Sequence, residues 1–273
     1  MFKKRYLLLV ILFVLTIACS QNRKTRAEII DINKLGNINL NFMIKDVGYD
    51  TNSKILYLAE EHKDYIWIYQ NFNFVNKFGG KGNNYSSFQL LSDIEVSDNG
   101  NLLALDNLQK RISIYDKNGI YRNNISLKNY SNPTKFTLGS DDLLYLYDRD
   151  KQEIIILNLL TFQEFMRFGQ FELDLPKAIR FNSDNLSITN HDYTTDFYNS
   201  LGGFKENYPN LTVKDNKQNT ISLQNNFIYI NNQPKAPLVI ENLPIGMFIK
   251  HNNLIIYTQN EVLIYELKYQ NYN

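Results

Sequence analysis

A single cysteine, Cys19, in 273 residues excludes an internal disulfide framework and any multi-cysteine metal centre. Only three histidines are present. His62, His191 and His251 lie far apart, without the i, i+4 spacing of an imidazole metal site, so no metal and no cofactor is expected. Proline (6) and glycine (12) are scarce, so turns must rely on Asn and Asp, which tolerate left-handed backbone. Neither sign of charge dominates: 29 basic against 28 acidic side chains leave a net charge of +1. Basic residues do not cluster on one stretch, which excludes nucleic acid as the expected partner. No window sustains a capped 3.6-residue apolar period, so helices should be few or absent.

What the chain has in quantity is aromatic surface, with 19 Tyr and 17 Phe beside one Trp, in a sequence 44% hydrophobic. That content is enough for a real core, and aromatic and β-branched residues suit pleated, half-buried surfaces. An all-β domain follows.

The first residues read as an address. Lys3, Lys4 and Arg5 precede an apolar run of about a dozen residues, Tyr6 to Ile17, the length of a signal-peptide core and short for a bilayer span. The run ends in Thr16-Ile17-Ala18-Cys19, which resembles a bacterial lipobox, with Thr16 where Leu is usual. The resemblance implies cleavage after Ala18, acylation of Cys19 and anchorage in a bacterial envelope membrane, on its periplasmic face or outer surface. An uncleaved anchor and a plain secretory signal are the alternatives, and all three carry the domain out of the cytoplasm. Residues 1–18 are thus expected to be a lipoprotein signal peptide and residues 19–26 a polar lipidated tether. Residues 27–273 should form the folded domain.

From Ala27 onward a unit recurs about every 40 residues: inner strand, tight turn, second strand, short loop, third strand, looser fourth strand. Six units can be laid out. The second is the clearest, with DIEVS, the turn Asp98-Asn99-Gly100, NLLALD, RISIYD and the turn Lys117-Asn118-Gly119. Runs such as EIIIL are apolar on both faces, as in sheets covered on both sides. The fourth unit decays after Ser183 into a polar, aromatic segment, and the fifth reads LTVKD, TISLQ, FIYIN and PLVIE. The sixth unit has only three strands, while Ala27–Ile32 is a strand without a unit. Pairing the two would close a ring and remove two exposed edges.

Phe78-Gly79-Gly80, Asp98-Asn99-Gly100, Asp106, Arg111-Ile112 and Tyr115 to Gly119 together resemble one repeat of the NHL family of six-bladed β-propellers. The resemblance implies six four-stranded antiparallel blades, and the orphan strand at Ala27–Ile32 is expected to close their ring.

Chemistry-bearing candidates are few. GGKGNN (79–84) lacks the Gly-Lys-Ser/Thr and following helix of a phosphate loop, so it reads as a turn between blades. Asp106 and Asp148 are read as acceptors for backbone N–H groups of neighbouring turns, and Trp67 as a core residue. In a propeller, alternate residues of each inner strand face the central channel. The same place in successive units gives Lys45, Glu95, Thr137, Arg180, Lys214 and Lys250, a mainly basic set suited to an anionic ligand or an acidic loop. The segment from His191 to Tyr208, with Asp192, Tyr193, Asp196, Tyr198 and Phe204, is either a binding loop or a drifted blade.

Two functions fit. The first is a non-catalytic envelope lipoprotein whose propeller is a binding or assembly scaffold for a protein or anionic ligand. The second is an enzyme resembling metal-dependent lactonases or NHL-type lyases, which gather acids, Asn or His around a channel metal. Glu95 alone among basic channel candidates argues against a cation there.

Overall fold

In a computed structural model, which describes residues 27–182, 184–240 and 242–271, the described residues form six four-stranded antiparallel sheets and no helix. The signal-peptide and tether expectations fall on residues 1–26, outside that range. The first strand, β1 (Ala27–Asn39), belongs to the last blade. Blade one contains β2 (Ile44–Asp50), β3 (Ile55–Glu60), β4 (Tyr65–Gln70) and β5 (Asn73–Gly79). Blade two contains β6 (Leu91–Val96), β7 (Leu102–Asp106), β8 (Arg111–Tyr115) and β9 (Tyr121–Ser126). Blade three contains β10 (Pro133–Leu138), β11 (Leu143–Asp148), β12 (Glu153–Asn158) and β13 (Glu164–Phe168). Blade four contains β14 (Ala178–Asn182), β15 (Asn185–Thr189), β16 (Thr195–Asn199) and β17 (Phe204–Tyr208). Blade five contains β18 (Thr212–Lys214), β19 (Thr220–Gln224), β20 (Phe227–Ile230) and β21 (Gln233–Pro237). Blade six is β22 (Gly246–Lys250), β23 (Asn253–Tyr257) and β24 (Glu261–Asn271), with β1 as its fourth strand.

This is a six-bladed β-propeller with the expected closure. The seam is longer than the sequence suggested: β1 pairs with β24 over eleven residue pairs, with bulges at Ile29/Asp31 and Lys34/Gly36 that bend the ribbon. Beyond blade six it leans on blade five, where the Asn219 amide donates to the Ala27 carbonyl (3.0 Å) and Lys217 caps the Tyr269 ring (3.6 Å).

Apolar side chains gather between blades. One cluster joins Ile55, Tyr57 and Ala59 of blade one to Phe88, Ile94 and Val96 beside or in blade two, and others fill further seams in the same way. The scarcity of glycine is answered as expected: Asn71-Phe72, Asn225-Asn226 and Asn231-Asn232 form two-residue hairpin loops with both φ angles positive.

One open question in the unit layout is decided and one strand is corrected. Of the two readings of the segment 191–208 the blade holds: after Asp184 the chain continues as the paired strands β15, β16 and β17. Its strands are rich in Thr, Asn and Tyr, which hid their alternation. The outer strand of blade five is Gln233–Pro237 rather than PLVIE, a strand on a sheet edge that tolerates Pro234 and Pro237.

Antiparallel connectivity gives the disc two faces. Turns from first to second and from third to fourth strands lie on one, called here the turn face. The remaining connections lie on the opposite face.

Candidate functional site

The inner strands are tied blade to blade by side chains that accept the next blade's backbone N–H. Asp46 takes the Ile94 amide (3.0 Å), and Asp93 takes that of Phe136 (2.9 Å). One step along, Glu95 takes the Leu138 amide (3.0 Å) and Thr137 that of Phe181 (3.0 Å). Asp46 and Asp93 therefore occupy equivalent places, and Gly48, Glu95 and Thr137 are equivalent in turn.

That equivalence reorders the predicted channel set. Arg180 does face the axis. Its guanidinium crosses from blade four to Asp46 on the diametrically opposite blade one (2.5 Å), where the Tyr257 hydroxyl also donates (3.1 Å). Lys250 lies one step nearer the turn face and reaches the Val96 carbonyl (3.2 Å) and Asp98 (2.6 Å). Lys45 is displaced by a one-residue bulge between Ile44 and Asp46, and its ammonium bonds the Leu91 carbonyl (2.8 Å). Lys214 turns outward, ion-pairing with Glu206 near the Phe197 and Tyr208 rings (5.1 and 5.5 Å). The expectation of four cations on a common axis is thus corrected: two reach it, and each is paired.

Buried acids supply the countercharge at the axis. Asp46, Asp93 and the Asp93-bound Lys135 (3.1 Å) join Arg180 and Glu95 in one network. Superposing DVGYD of the first unit on DIEVS of the second puts the two aspartates at one place in the repeat. Burial pushes the Asp46 carboxyl up, but Arg180, then Lys135 and donated hydrogen bonds, outweigh it and hold the group below the usual carboxylate range. Burial drives Asp93 to about 8, with the Asp46 charge adding to it against Lys135 and Arg180. Burial also drives Glu95 to about 7, against Arg180 and Lys250.

A pH dependence follows. Glu95 binds its proton more tightly folded (about 7) than at its ordinary value of 4.5, so its contribution is complete below pH 4.5 and lost as pH rises through 7. With partial access to the channel, the loss is about 2 kcal/mol. Melting temperature should fall between pH 5 and 8, and Glu95→Gln should flatten that fall. Melts of both proteins at pH 5, 6.5 and 8 check it; an unchanged slope in the variant would exclude Glu95.

The axis is narrow, a cavity of about 60 Å³ bordered by Arg180, Glu95 and Lys250. On the turn face it widens into a cavity of about 750 Å³ that runs outward between blades two and three, past Asp98, Asp142, Asp184 and His251 to Phe162. On the opposite face Lys45, Lys135 and Arg149 border a hollow of about 310 Å³.

The remaining candidates are dispersed. Asp106 accepts from the Gln89 and Leu90 amides (2.9 and 3.2 Å) and Asp148 from Ser131 and Asn132 (2.8 and 3.2 Å), the turn-holding role read from sequence. Trp67 stacks on Phe42 at 4.6 Å and donates to Glu60 (2.9 Å). His191 and Asp192 are exposed in the β15–β16 turn on the opposite face, where Lys177 lies over the Tyr193 ring (3.5 Å). Asp196 accepts from Asn190 (2.8 Å) and Asn207 (2.7 Å), and Tyr198 packs on Phe168 (5.5 Å) and Phe204 (5.6 Å). Asp196 serves hydrogen bonding within blade four and Tyr198 its packing, on Phe204 and on Phe168 of blade three, while His191 and Asp192 lie apart from both on the opposite face. Among the described residues, no group of three or more His, Cys, Asp or Glu is placed to hold a metal ion.

Fold and site define the class: a six-bladed β-propeller with a plugged axis and an open mouth on one face. Among solved structures the chain is similar to the WD40 domain of Neurospora crassa Pan2, with TM-score 0.55, 6% identity and coverage of 89% of this chain and 96% of that one. It is also similar to the WD40 β-propeller domain of Doa1, with TM-score 0.57, 11% identity and coverage of 88% and 98%. No family model and no curated protein matches the chain. At such identities the likeness speaks for the fold alone, and function must be argued from the site.

Proposed function

We propose that this protein is a bacterial envelope lipoprotein, acylated at Cys19, whose NHL-like propeller is a non-catalytic scaffold that binds an envelope protein through its turn face. One observation carries the reading: the Arg180–Asp46 pair shuts the axis while the turn face stays open over about 750 Å³. A rigid ring with a closed centre and a broad, shallow mouth suits a protein surface better than a small substrate sequestered from water. The axial acids are committed to backbone amides and cations, which favours a scaffold over a lactonase- or lyase-like enzyme. The anionic ligand of the sequence reading loses its support as well, since Lys214 and Lys250 are paired with Glu206 and Asp98.

The lipid anchor would also orient the ring. Ala27 sits on the turn face, beside Asn219 in the first turn of blade five. Seven residues lie between it and Cys19, so eight Cα–Cα steps span at most about 28 Å. The mouth would therefore lie close to the membrane, and its partner would be membrane-bound or membrane-apposed.

Photocrosslinkers at Asn123 on the turn face and at His191 on the opposite face, in cells, test this. The expected result is a discrete envelope adduct from position 123 only, together with loss of membrane fractionation and of palmitate labelling in Cys19→Ala. Adducts from position 191 alone, or an unlabelled wild type, would overturn it.

A further inference from the structure

Three seams of the ring differ at one place. Opposite Gly48 in blade one stands Tyr57, and opposite Thr137 in blade three stands Tyr145. Each is buried, points into the following seam, and donates its hydroxyl to a carbonyl in the next blade's outer turn. Tyr57 reaches the Lys117 carbonyl (3.1 Å) and Tyr145 that of Ser200 (2.9 Å). Both carbonyls belong to the residue after an Asx-type turn former, Asp116 or Asn199. A second ring completes each seam: Phe78 against Gly119, and Phe168 against Gly202, both glycines at positive φ where a Cβ would strike the ring.

Between blades two and three the same places hold smaller side chains. Leu103 stands opposite Glu95, and Ile125 pairs with Ile112 as Phe78 pairs with Ile66. The receiving turn is built on Asn158, whose side chain takes the Leu160 and Thr161 amides (3.0 and 2.9 Å), so the equivalent carbonyl is that of Leu159. No donor among the described residues bonds it. That turn has no glycine; Phe162 adopts φ 55° and is 64% exposed at the edge of the gap. An exposed phenylalanine held in left-handed backbone is strained. Two rings replaced by Leu103 and Ile125 account for the outward extension of the 750 Å³ cavity along this seam.

We propose that this slot receives a tyrosine side chain of the partner protein, its ring over Leu103 and Ile125 and its hydroxyl donating to the Leu159 carbonyl. The chain itself supplies the template, because Tyr57 and Tyr145 make that contact in the seams on either side. Phe162 would cover the entering ring from the rim, where aromatic pairs add to the burial of apolar area. The inference rests on the scaffold reading and narrows it to an aromatic anchor of the kind that dominates protein interfaces.

N-acetyl-tyrosinamide, titrated into the intact domain and followed by amide NMR, tests the slot without knowledge of the partner. Expected are saturable shifts at Leu103, Leu159 and Phe162 with a dissociation constant of about millimolar order. N-acetyl-phenylalaninamide should bind about three- to tenfold more weakly for want of the hydroxyl. Leu103→Tyr should fill the slot from within, raise the melting temperature and abolish the response; Leu103→Phe repeats the block should the first variant not fold. Shifts centred elsewhere, equal binding of the two amides, or undiminished binding by a folded Leu103 variant would overturn the proposal. A crosslinked partner retained by Leu103→Tyr would sink the slot and leave the scaffold standing. Probe binding in the slot without any turn-face partner would do the reverse.

Discussion

Removing residues 27–39 is expected to unfold the whole ring rather than trim one edge. Among the described strands β1 alone pairs the first part of the domain with the last, on β24, and it buries Ile29, Ile32 and Ile38 among residues of blades one, five and six. Truncating a buried isoleucine costs about 2–5 kcal/mol, so three of them approach the roughly 5–15 kcal/mol that holds a whole domain folded. The loss also bares the length of β24, an edge ready to pair with another chain. The truncated chain 40–273 should lack a cooperative melt and should aggregate on size exclusion. A synthetic 27–39 peptide added in trans should restore the transition, because eleven backbone pairs define its register. A monomeric chain 40–273 that melts within a few degrees of the parent would show that the ring holds without its clasp.

The clasp was legible because its signals were local. A three-strand unit at one end and an orphan strand at the other need only the rule that edges are costly. Blade number was legible for the same reason: Asp98-Asn99-Gly100 and its counterparts are turn formers whose chemistry does not depend on distant residues. Register at the axis was not. Lys45 and Asp46 are adjacent in sequence, and a single bulge decides which of them faces inward. Lys214 and Lys250 were read at a common level, yet Lys250 sits two residues nearer the rim because its hairpin closes with two loop residues, His251 and Asn252. Blade four was hidden for a further reason. Its strands use Thr195 and Ser187 where blades one to three use Ile, Leu or Tyr, so the alternation marking a strand is one of size and hydrogen bonding rather than hydrophobicity. The slot between blades two and three is legible only by comparison, since Leu103 is unremarkable until Tyr57 and Tyr145 are superposed on it.

The axial pair carries the second large effect. Arg180→Met should destabilise the domain by about 3–5 kcal/mol, because the buried Asp46 would lose the stronger of the two cations that hold its charge. The carboxylate keeps the Ile94 amide and the Tyr257 hydroxyl, two donors that cannot neutralise it. Asp46→Asn should cost less than that, since an amide oxygen can still accept one of those donors, and Asp93, relieved of the Asp46 charge that helps to raise it, ionises more readily beside Arg180. In the double variant neither charge is stranded. Its cost should fall about 1–3 kcal/mol short of the sum of the singles, the coupling expected of groups in direct contact. Urea denaturation of the four proteins at pH 6 measures it, and additivity within about 0.5 kcal/mol would show that the pair does not act as a unit. Repeating the series at pH 8 separates a latch from a plug. Arg180 is one of the cations holding Glu95 and Asp93 down against burial. Without it both carboxyls titrate higher, and stability should fall more steeply between pH 6 and 8 than in the wild type. A merely steric plug would leave that slope unchanged when Met fills the same space. The steeper slope would identify the guanidinium as the charge around which the six inner strands are closed.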